Sequence, residues 1–327
     1  MTACRPQLGA LFGTGRSGTT WLGAIVDSSP TVAYRFEPFS RLRNHPRIQH
    51  ARTAAESSSL PTADARDIVY RALRPAHPRI VKDPFFAKSC SRSLGRRPAW
   101  YAARLLPALN PIVERVYTPA KTTPIVFKEV AYYALMHHML RLEVPTVFLI
   151  RDPRAVVASL LVGQKQNLMP SGRLGVLDDL ARKHDPELSR EFDGTLQSRS
   201  SAFMNAMLWR LDVEEALRVH PHPQLRLIYY ESLCTSPTQV ATETFEHLGL
   251  ELTDETLRFI AQSTGSDDSA NREQTDPYFS VFRDPKKSMS KWRSTLTESN
   301  LHDIEAALAS STVYASLRTD AGWDARD

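Results

Sequence analysis

Apolar positions along this chain come in short blocks. Runs at Leu8–Phe12, Thr31–Phe36, Arg79–Val81, Pro124–Phe127, Thr146–Ile150 and Leu225–Tyr229 are each followed by charged or turn-forming residues. This is the pattern of strands buried on both faces. Between them apolar residues recur at helical spacing over Thr19–Asp27, Trp100–Leu109, Tyr132–Leu142, Pro153–Leu161, Ala202–Val219 and Thr238–Leu248. In the first of these helices Trp21, Leu22, Ile25 and Val26 share a side, and Ser28-Ser29-Pro30 stops it. Strands alternating with helices predict an α/β protein whose central parallel sheet is covered by helices on both faces.

Three stretches depart from the alternation. Residues 44–66 are polar and turn-rich and read as a surface loop. Residues 164–200 are polar with helix-compatible pieces, and residues 263–291 are long and irregular. Long loops in a compact domain are commonly lids or binding loops. Together with 40–75, segments 164–200 and 263–291 are expected to shape a substrate pocket. No linker or repeat divides the chain, which predicts one domain over 1–327.

Composition narrows the function classes. Of 327 residues, 42% are hydrophobic and 24% charged, as in ordinary soluble domains. The net charge of +5 suits an anionic substrate without singling out nucleic acid. Cys4, Cys90 and Cys234 are scattered and lack C-x-x-C spacing, which argues against a disulfide framework or a zinc site. No run approaches the roughly 18 apolar residues of a membrane span. The N-terminal residues lack the long apolar core of a signal peptide, so a cytoplasmic location is expected. His137-His138 and His220-Pro221-His222 have no partners at ligand spacing, and no metal is expected. Phe203–Leu217, with Met204, Met207 and Trp209, reads as core.

Candidate chemistry begins at GTGRSGTTWLG (Gly13–Gly23). Gly13, Gly15 and Gly18 spell the dinucleotide pattern G-x-G-x-x-G, and Gly13 and Gly18 also have P-loop spacing. A P-loop needs lysine next, and Thr19 stands there, which disfavours ATP or GTP hydrolysis. A glycine turn between strand and helix aims backbone N–H groups and the helix dipole at one point. Ser17, Thr19 and Thr20 add hydroxyls and Arg16 a permanent charge, a set suited to phosphate or sulfate. Glu37 lies where the ribose-binding acid of a dinucleotide fold would sit. A second site is written in FLIRDPRAVVASLL (Phe148–Leu161): a strand, Arg151, an Asp152 N-cap, Pro153 at N1, and Ser159 two turns on along the same face. Arg151 and Ser159 are thus placed to meet one anion.

The two motifs together resemble those of the sulfotransferases that use 3′-phosphoadenosine 5′-phosphosulfate (PAPS), and RDPRAVVAS is particularly similar to the carbohydrate members. RLIYYESLCTSPTQVATETFEHLG (Arg226–Gly249) and Ser290-Lys291-Trp292 extend the resemblance along the chain. It implies a P-loop-like three-layer fold and sulfuryl transfer to a hydroxyl, less often an amine, of a carbohydrate or small-molecule acceptor. No metal takes part, and PAP is the product. Arg16, Ser17, Gly18, Thr19 and Thr20 then surround the 5′-phosphosulfate, with Trp21 near the adenine. Arg151, Ser159 and Lys291 hold the 3′-phosphate, and Tyr230 approaches the base. Two lysines compete to stabilise the leaving phosphate: Lys82, similar to the KDPF motif of tyrosylprotein sulfotransferases, and Lys128, whose distance from Arg151 resembles cytosolic members. Val130 replaces the histidine of the latter, while Glu37, in YRFEPF and 21 residues after Arg16, resembles the glutamate base of tyrosylprotein and carbohydrate sulfotransferases. The resemblance implies that Glu37 is the general base, its pKa raised by apolar neighbours and an acidic cofactor, with Glu129 and Asp83 in reserve. A nicotinamide oxidoreductase and a non-catalytic nucleotide binder remain the alternatives.

Overall fold

The computed structural model describes residues 7–82, 86–90, 96–169, 173–192, 195–264 and 285–323. Five strands form the sheet: β1 (Leu8–Gly13), β2 (Ala33–Phe36), β3 (Ile125–Lys128), β4 (Thr146–Ile150) and β5 (Leu225–Tyr229). All pair in parallel, in the order β2-β3-β1-β4-β5. The register sets Lys128 beside Leu11 on one side and Phe36 on the other, so the carboxyl ends of β1, β2 and β3 share one rim.

The helices that follow the first three strands are α1 (Thr19–Ser28), α2 (Pro38–Arg41), α3 (Pro46–Glu56), α4 (Thr62–Leu73), α5 (Arg96–Leu105), α6 (Asn110–Tyr117) and α7 (Tyr133–Arg141). After β4 come α8 (Pro153–Lys165), α9 (Leu177–His184), α10 (Pro186–Glu191) and α11 (Ser201–Leu217). After β5 come α12 (Tyr230–Thr235), α13 (Pro237–Leu248), α14 (Asp254–Thr264), α15 (Pro285–Ser290), α16 (Trp292–Thr295), α17 (Glu298–Leu308) and α18 (Thr312–Asp320). Because side chains alternate along a strand, each strand feeds two cores. Leu8, Ala10, Phe12, Phe127 and Phe148 pack with α3, α4, α7, α8, α11 and α17. Leu11, Val126, Val147 and Leu149 pack with α1, α12, α13 and α14. This is the expected three-layer α/β architecture. No helix among the described residues is long and apolar enough to cross a membrane.

Several boundaries differ from the sequence reading. Arg79–Val81 is a turn rather than a strand. Ile80 and Val81 donate to the His77 carbonyl at 3.0 and 3.1 Å, and a single backbone hydrogen bond among the described residues ties the stretch to the sheet, the Ile80 carbonyl accepting from the Phe36 N–H at 2.7 Å. The supposed loop at 44–66 contains α3 and the start of α4. Pro46 opens α3, and the His45 ring caps it by accepting from the Arg47 N–H at 3.3 Å. Its buried face, Ile48, Ala51, Ala54 and Ala55, is mostly alanine, which lets α3 and α4 pack closely without an obvious apolar stripe. The helix expected over Trp100–Leu109 begins earlier, ends at Leu105, and is followed by a separate turn of 3₁₀ helix, Pro107–Leu109. Segment 164–200 is largely helical, with the Asp185 carboxylate accepting from the Glu187 and Leu188 N–H groups at 3.0 Å each to start α10. Residues 265–284 of the expected lid lie outside the described residues.

Arg35, buried on edge strand β2, has a structural task. Its guanidinium donates to the carbonyls of Leu73 (2.7 Å), Arg74 (2.6 Å) and Tyr34 (2.9 Å). It thereby satisfies the end of α4 and fastens that helix to the sheet edge.

Candidate functional site

The turn after β1 is sterically specified. A Cβ on Gly13 would lie 2.7 Å from the Leu149 carbonyl oxygen and from Ser17 Oγ. Arg16 and Gly18 adopt positive φ, 67° and 96°, and a Cβ on Gly18 would come within 2.4 Å of the Tyr230 ring. Ser17 is fully buried and its hydroxyl donates to the Thr14 carbonyl at 2.8 Å, closing the loop on itself. Thr19 and Thr20 begin α1. Among the described residues no atom lies near the absent side chain of Gly15, so the middle glycine of the dinucleotide pattern answers no steric demand from them.

From this loop Arg16 reaches across to the β4 motif, and its Nε donates to Ser159 Oγ at 2.9 Å. Arg151 reaches back, donating to the carbonyls of Arg16 (3.1 Å) and Ser288 (2.8 Å), with its guanidinium 4.2 Å above the Tyr230 ring. Burial pushes the Tyr230 phenol up to about 12, opposed by Arg151, so the ring stays neutral and attracts the cation through its face. Trp21 meets Tyr230 edge-on at 6.3 Å; it is buried, and its indole N–H donates to Ser263 Oγ at 3.2 Å. Asp152 caps α8 as expected, accepting from the Arg154 N–H at 2.8 Å.

Between these groups opens a cleft lined by Arg16, Arg151, Ser159, Ser288, Lys291 and Trp292, with alanines, Val162 and Thr295 completing its wall. Three of its lining residues are cationic and none is acidic. Arg151 Nε there, and Thr14 Oγ1 in the turn after β1, are buried without a hydrogen-bond partner among the described residues. Fixed positive charge with unspent donors fits an anionic ligand such as a phosphorylated nucleotide.

A second cluster occupies the rim at β2 and β3. Glu37 follows β2 with φ 50°, and its carboxylate accepts from Lys128 Nζ at 2.6 Å and Arg41 Nε at 3.4 Å. Lys82 and Lys128 place their ammonium groups 4.3 and 4.4 Å from the centre of the Phe36 ring. The upward shift expected for Glu37 is not found. Burial does push it up, but the charge and hydrogen bond of Lys128, with Arg41, outweigh that and hold it below the ordinary carboxylate range. Lys128 is itself pulled down by burial, with Glu37 holding it up. Lys82 has no acidic partner among the described residues. Burial, with Lys128 and Arg41 nearby, lowers it to about 8. The carboxyl that does rise is Glu129, to about 7, because it is fully buried. It accepts from the N–H groups of Phe39 (2.6 Å) and Ser40 (3.2 Å) and from Ser40 Oγ (2.6 Å), which pins α2 directly behind Glu37. Asp83 lies outside the described residues.

The sequence-derived residues thus fall into two groups: Arg16, Ser17, Gly18, Thr19, Thr20, Trp21, Arg151, Ser159, Tyr230 and Lys291 around the cleft, and Glu37, Lys82 and Lys128 on the rim. Strand β3 lies between β1 and β2, which puts Glu37 two strand spacings, about 10 Å, to the side of β1. In the common dinucleotide fold the acid-bearing strand is next to the first, so the topology disfavours the nicotinamide alternative. Sequence reasoning missed Ser288, which enters through its carbonyl, and Ser263 and Phe36, which carry no motif. No cluster of three or more His, Cys, Asp or Glu suited to a metal occurs among the described residues.

Comparison with known proteins bears on the family and the fold. A model of the sulfotransferase domain matches residues 10–311. Carbohydrate sulfotransferase 3 of Mus musculus is 22% identical over 328 residues, covering 91% of this chain and 65% of the relative. Its Rattus norvegicus counterpart is 23% identical over 314 residues, covering 86% and 62%. The chain therefore spans slightly less than two thirds of the length of these relatives. A crystal structure of mouse sulfotransferase SULT7A1 complexed with PAP shares the fold, with a TM-score of 0.50 over 97% of this chain and 89% of that chain at 11% identity.

Proposed function

The chain belongs to the sulfotransferase domain family, and from that membership we propose that it transfers the sulfuryl group of PAPS to a hydroxyl of a carbohydrate or small-molecule acceptor. The observation that carries this reading is the cleft of Arg16, Arg151, Ser159 and Lys291, which holds three cations and no acid and where the buried Arg151 Nε has no hydrogen-bond partner among the described residues. Arg151, Ser159 and Lys291 hold the 3′-phosphate, and Arg16 with the Ser17–Thr20 turn holds the 5′ end. Trp21 and Tyr230 border the base.

PAPS supplies an activated sulfuryl group whose transfer needs alignment and charge stabilisation rather than covalent help from the protein. Glu37 takes the acceptor proton. Lys128 keeps Glu37 ionised and aimed, and a Lys128 that turns from Glu37 towards donor oxygens restores basicity to the carboxylate at that moment. Lys82, without an acidic partner among the described residues, is the cation free to meet developing charge. Glu129 acts through α2, as a positioning residue. The acceptor side is assigned to the described residues of segments 40–75 and 164–200.

The reading is tested by thermal shift with adenosine 3′,5′-bisphosphate, NAD and ATP. The bisphosphate is expected to stabilise the chain, by about 2.7 kcal/mol at a hundredfold excess over Kd. Stabilisation by NAD alone overturns the proposal.

A further inference from the structure

The hairpin of α5 and α6 has two unlike faces. Inward, Trp100, Ala103, Val113 and Tyr117 are buried, and the Trp100 indole donates to the Val81 carbonyl at 2.8 Å. Outward, Tyr101, Leu105, Leu106 and Ile112 are 52%, 80%, 59% and 60% exposed. Eight large apolar side chains are exposed among the described residues, and these four fall within a single turn-linked segment. Such clustering marks a contact surface, where scattered single exposures would not. The tip, Leu105-Leu106-Pro107-Ala108-Leu109, is flanked by the exposed arginines Arg97, Arg104 and Arg115. The single acidic residue between 96 and 117, Glu114, is already ion-paired with Arg47 at 3.2 Å.

We propose that this hairpin docks on the surface of an anionic lipid bilayer, with Leu105, Leu106 and Ile112 entering the headgroup region and Arg97, Arg104 and Arg115 meeting lipid phosphates. Charge complementarity selects this occupant. A second copy of the chain, packed symmetrically, would set the patch against itself and bring arginine against arginine. An anionic bilayer offers apolar depth for the leucines and negative charge for the rim together. The hairpin is also tied to the rim cluster, since the Val81 carbonyl held by Trp100 immediately precedes Lys82. Docking is a binding event, so it stands or falls separately from the sulfuryl-transfer reading.

The test is cosedimentation of the full chain with phosphatidylcholine vesicles with and without phosphatidylglycerol. The chain is expected to bind the phosphatidylglycerol vesicles, and to bind them more weakly as salt rises. Leu105→Asp combined with Leu106→Asp is expected to weaken binding about tenfold or more by removing the apolar contact, and Arg115→Glu by a smaller factor. These side chains are exposed, so unchanged melting temperatures confirm intact folding. No binding to either vesicle overturns the proposal, as does binding that the double variant leaves unchanged. A dimer of the free chain that the double variant dissociates, with no vesicle binding, assigns the surface to a second copy and equally overturns it.

Discussion

Replacing Glu37 with glutamine separates its proposed chemistry from its structural part. The amide keeps the shape and loses the charge, so the variant has no base to take the acceptor proton. A positioned general base is worth about 10²- to 10⁴-fold, which is about 2.7–5.4 kcal/mol of barrier. The structural cost falls on Lys128, which is 2% exposed and loses its carboxylate partner. Stranding a buried charge costs about 3–5 kcal/mol. Burial already pulls Lys128 down and Glu37 holds it up, so in the variant Lys128 sheds its proton and escapes much of that cost. The sign follows: a lysine depressed below 10.5 on folding loses stability as pH falls, so Glu37→Gln should melt closest to wild type at alkaline pH and fall furthest behind in mild acid. The assay pairs transfer from radiolabelled PAPS over a panel of acceptors with melting in adenosine 3′,5′-bisphosphate. Bisphosphate affinity should be nearly unchanged, because Glu37 is about 10 Å to the side of β1. Turnover within about tenfold of wild type would refute the assignment of Glu37 as the base.

Four further outcomes follow from the geometry. Lys82 is lowered to about 8, so turnover should decline above pH 8 as it deprotonates, and Lys82→Arg should move that decline to higher pH. Arg151→Ala should weaken bisphosphate binding by about 10- to 100-fold, the worth of a charge-assisted contact, and Arg151→Lys should restore little, since it lacks the fork and sits poorly over Tyr230; titration calorimetry measures both. Gly18→Ala forces a Cβ into the Tyr230 ring at φ 96° and should cost about 1–3 kcal/mol in chemical denaturation, along with bisphosphate affinity. Glu129 is raised to about 7, so its share of stability is present below pH 4.5 and lost as pH climbs through 7; Glu129→Gln should therefore gain melting temperature over wild type progressively from pH 5 to pH 8.

The parts of this fold that were legible in the sequence are those with local causes. The buried run, glycines and amphipathic pattern at 8–28 announce β1, the turn and α1, and Asp152-Pro153 announces the start of α8. The α3–α4 pair was missed because alanine makes a close-packed face without a strong apolar signal, and because histidine is not a usual cap. Arg79–Val81 looked like a strand since apolar residues there fill a core, although their N–H groups are spent on His77. The cleft was readable because its arginines sit in motifs. The state of Glu37 was not: its apolar neighbours suggested an upward shift, and its controlling partner, Lys128, is 91 residues away and adjacent only through the sheet. Pairing between strands carries no mark in either strand alone.

Placing β3 between β1 and β2 has a consequence for how such a protein can change. In the proposed reaction the grip on the donor is assigned to β1 and β4 and the proton acceptor to β2, which Arg35 fastens on its outer side to the end of α4. Strand β3 stands between the two halves and touches both: Phe127 packs on Phe12 and Phe39, and Lys128 meets Glu37. Substitutions around α2 to α4 can therefore recast the acceptor side while the nucleotide side keeps its fit, and a single chain plan can inherit one half and revise the other.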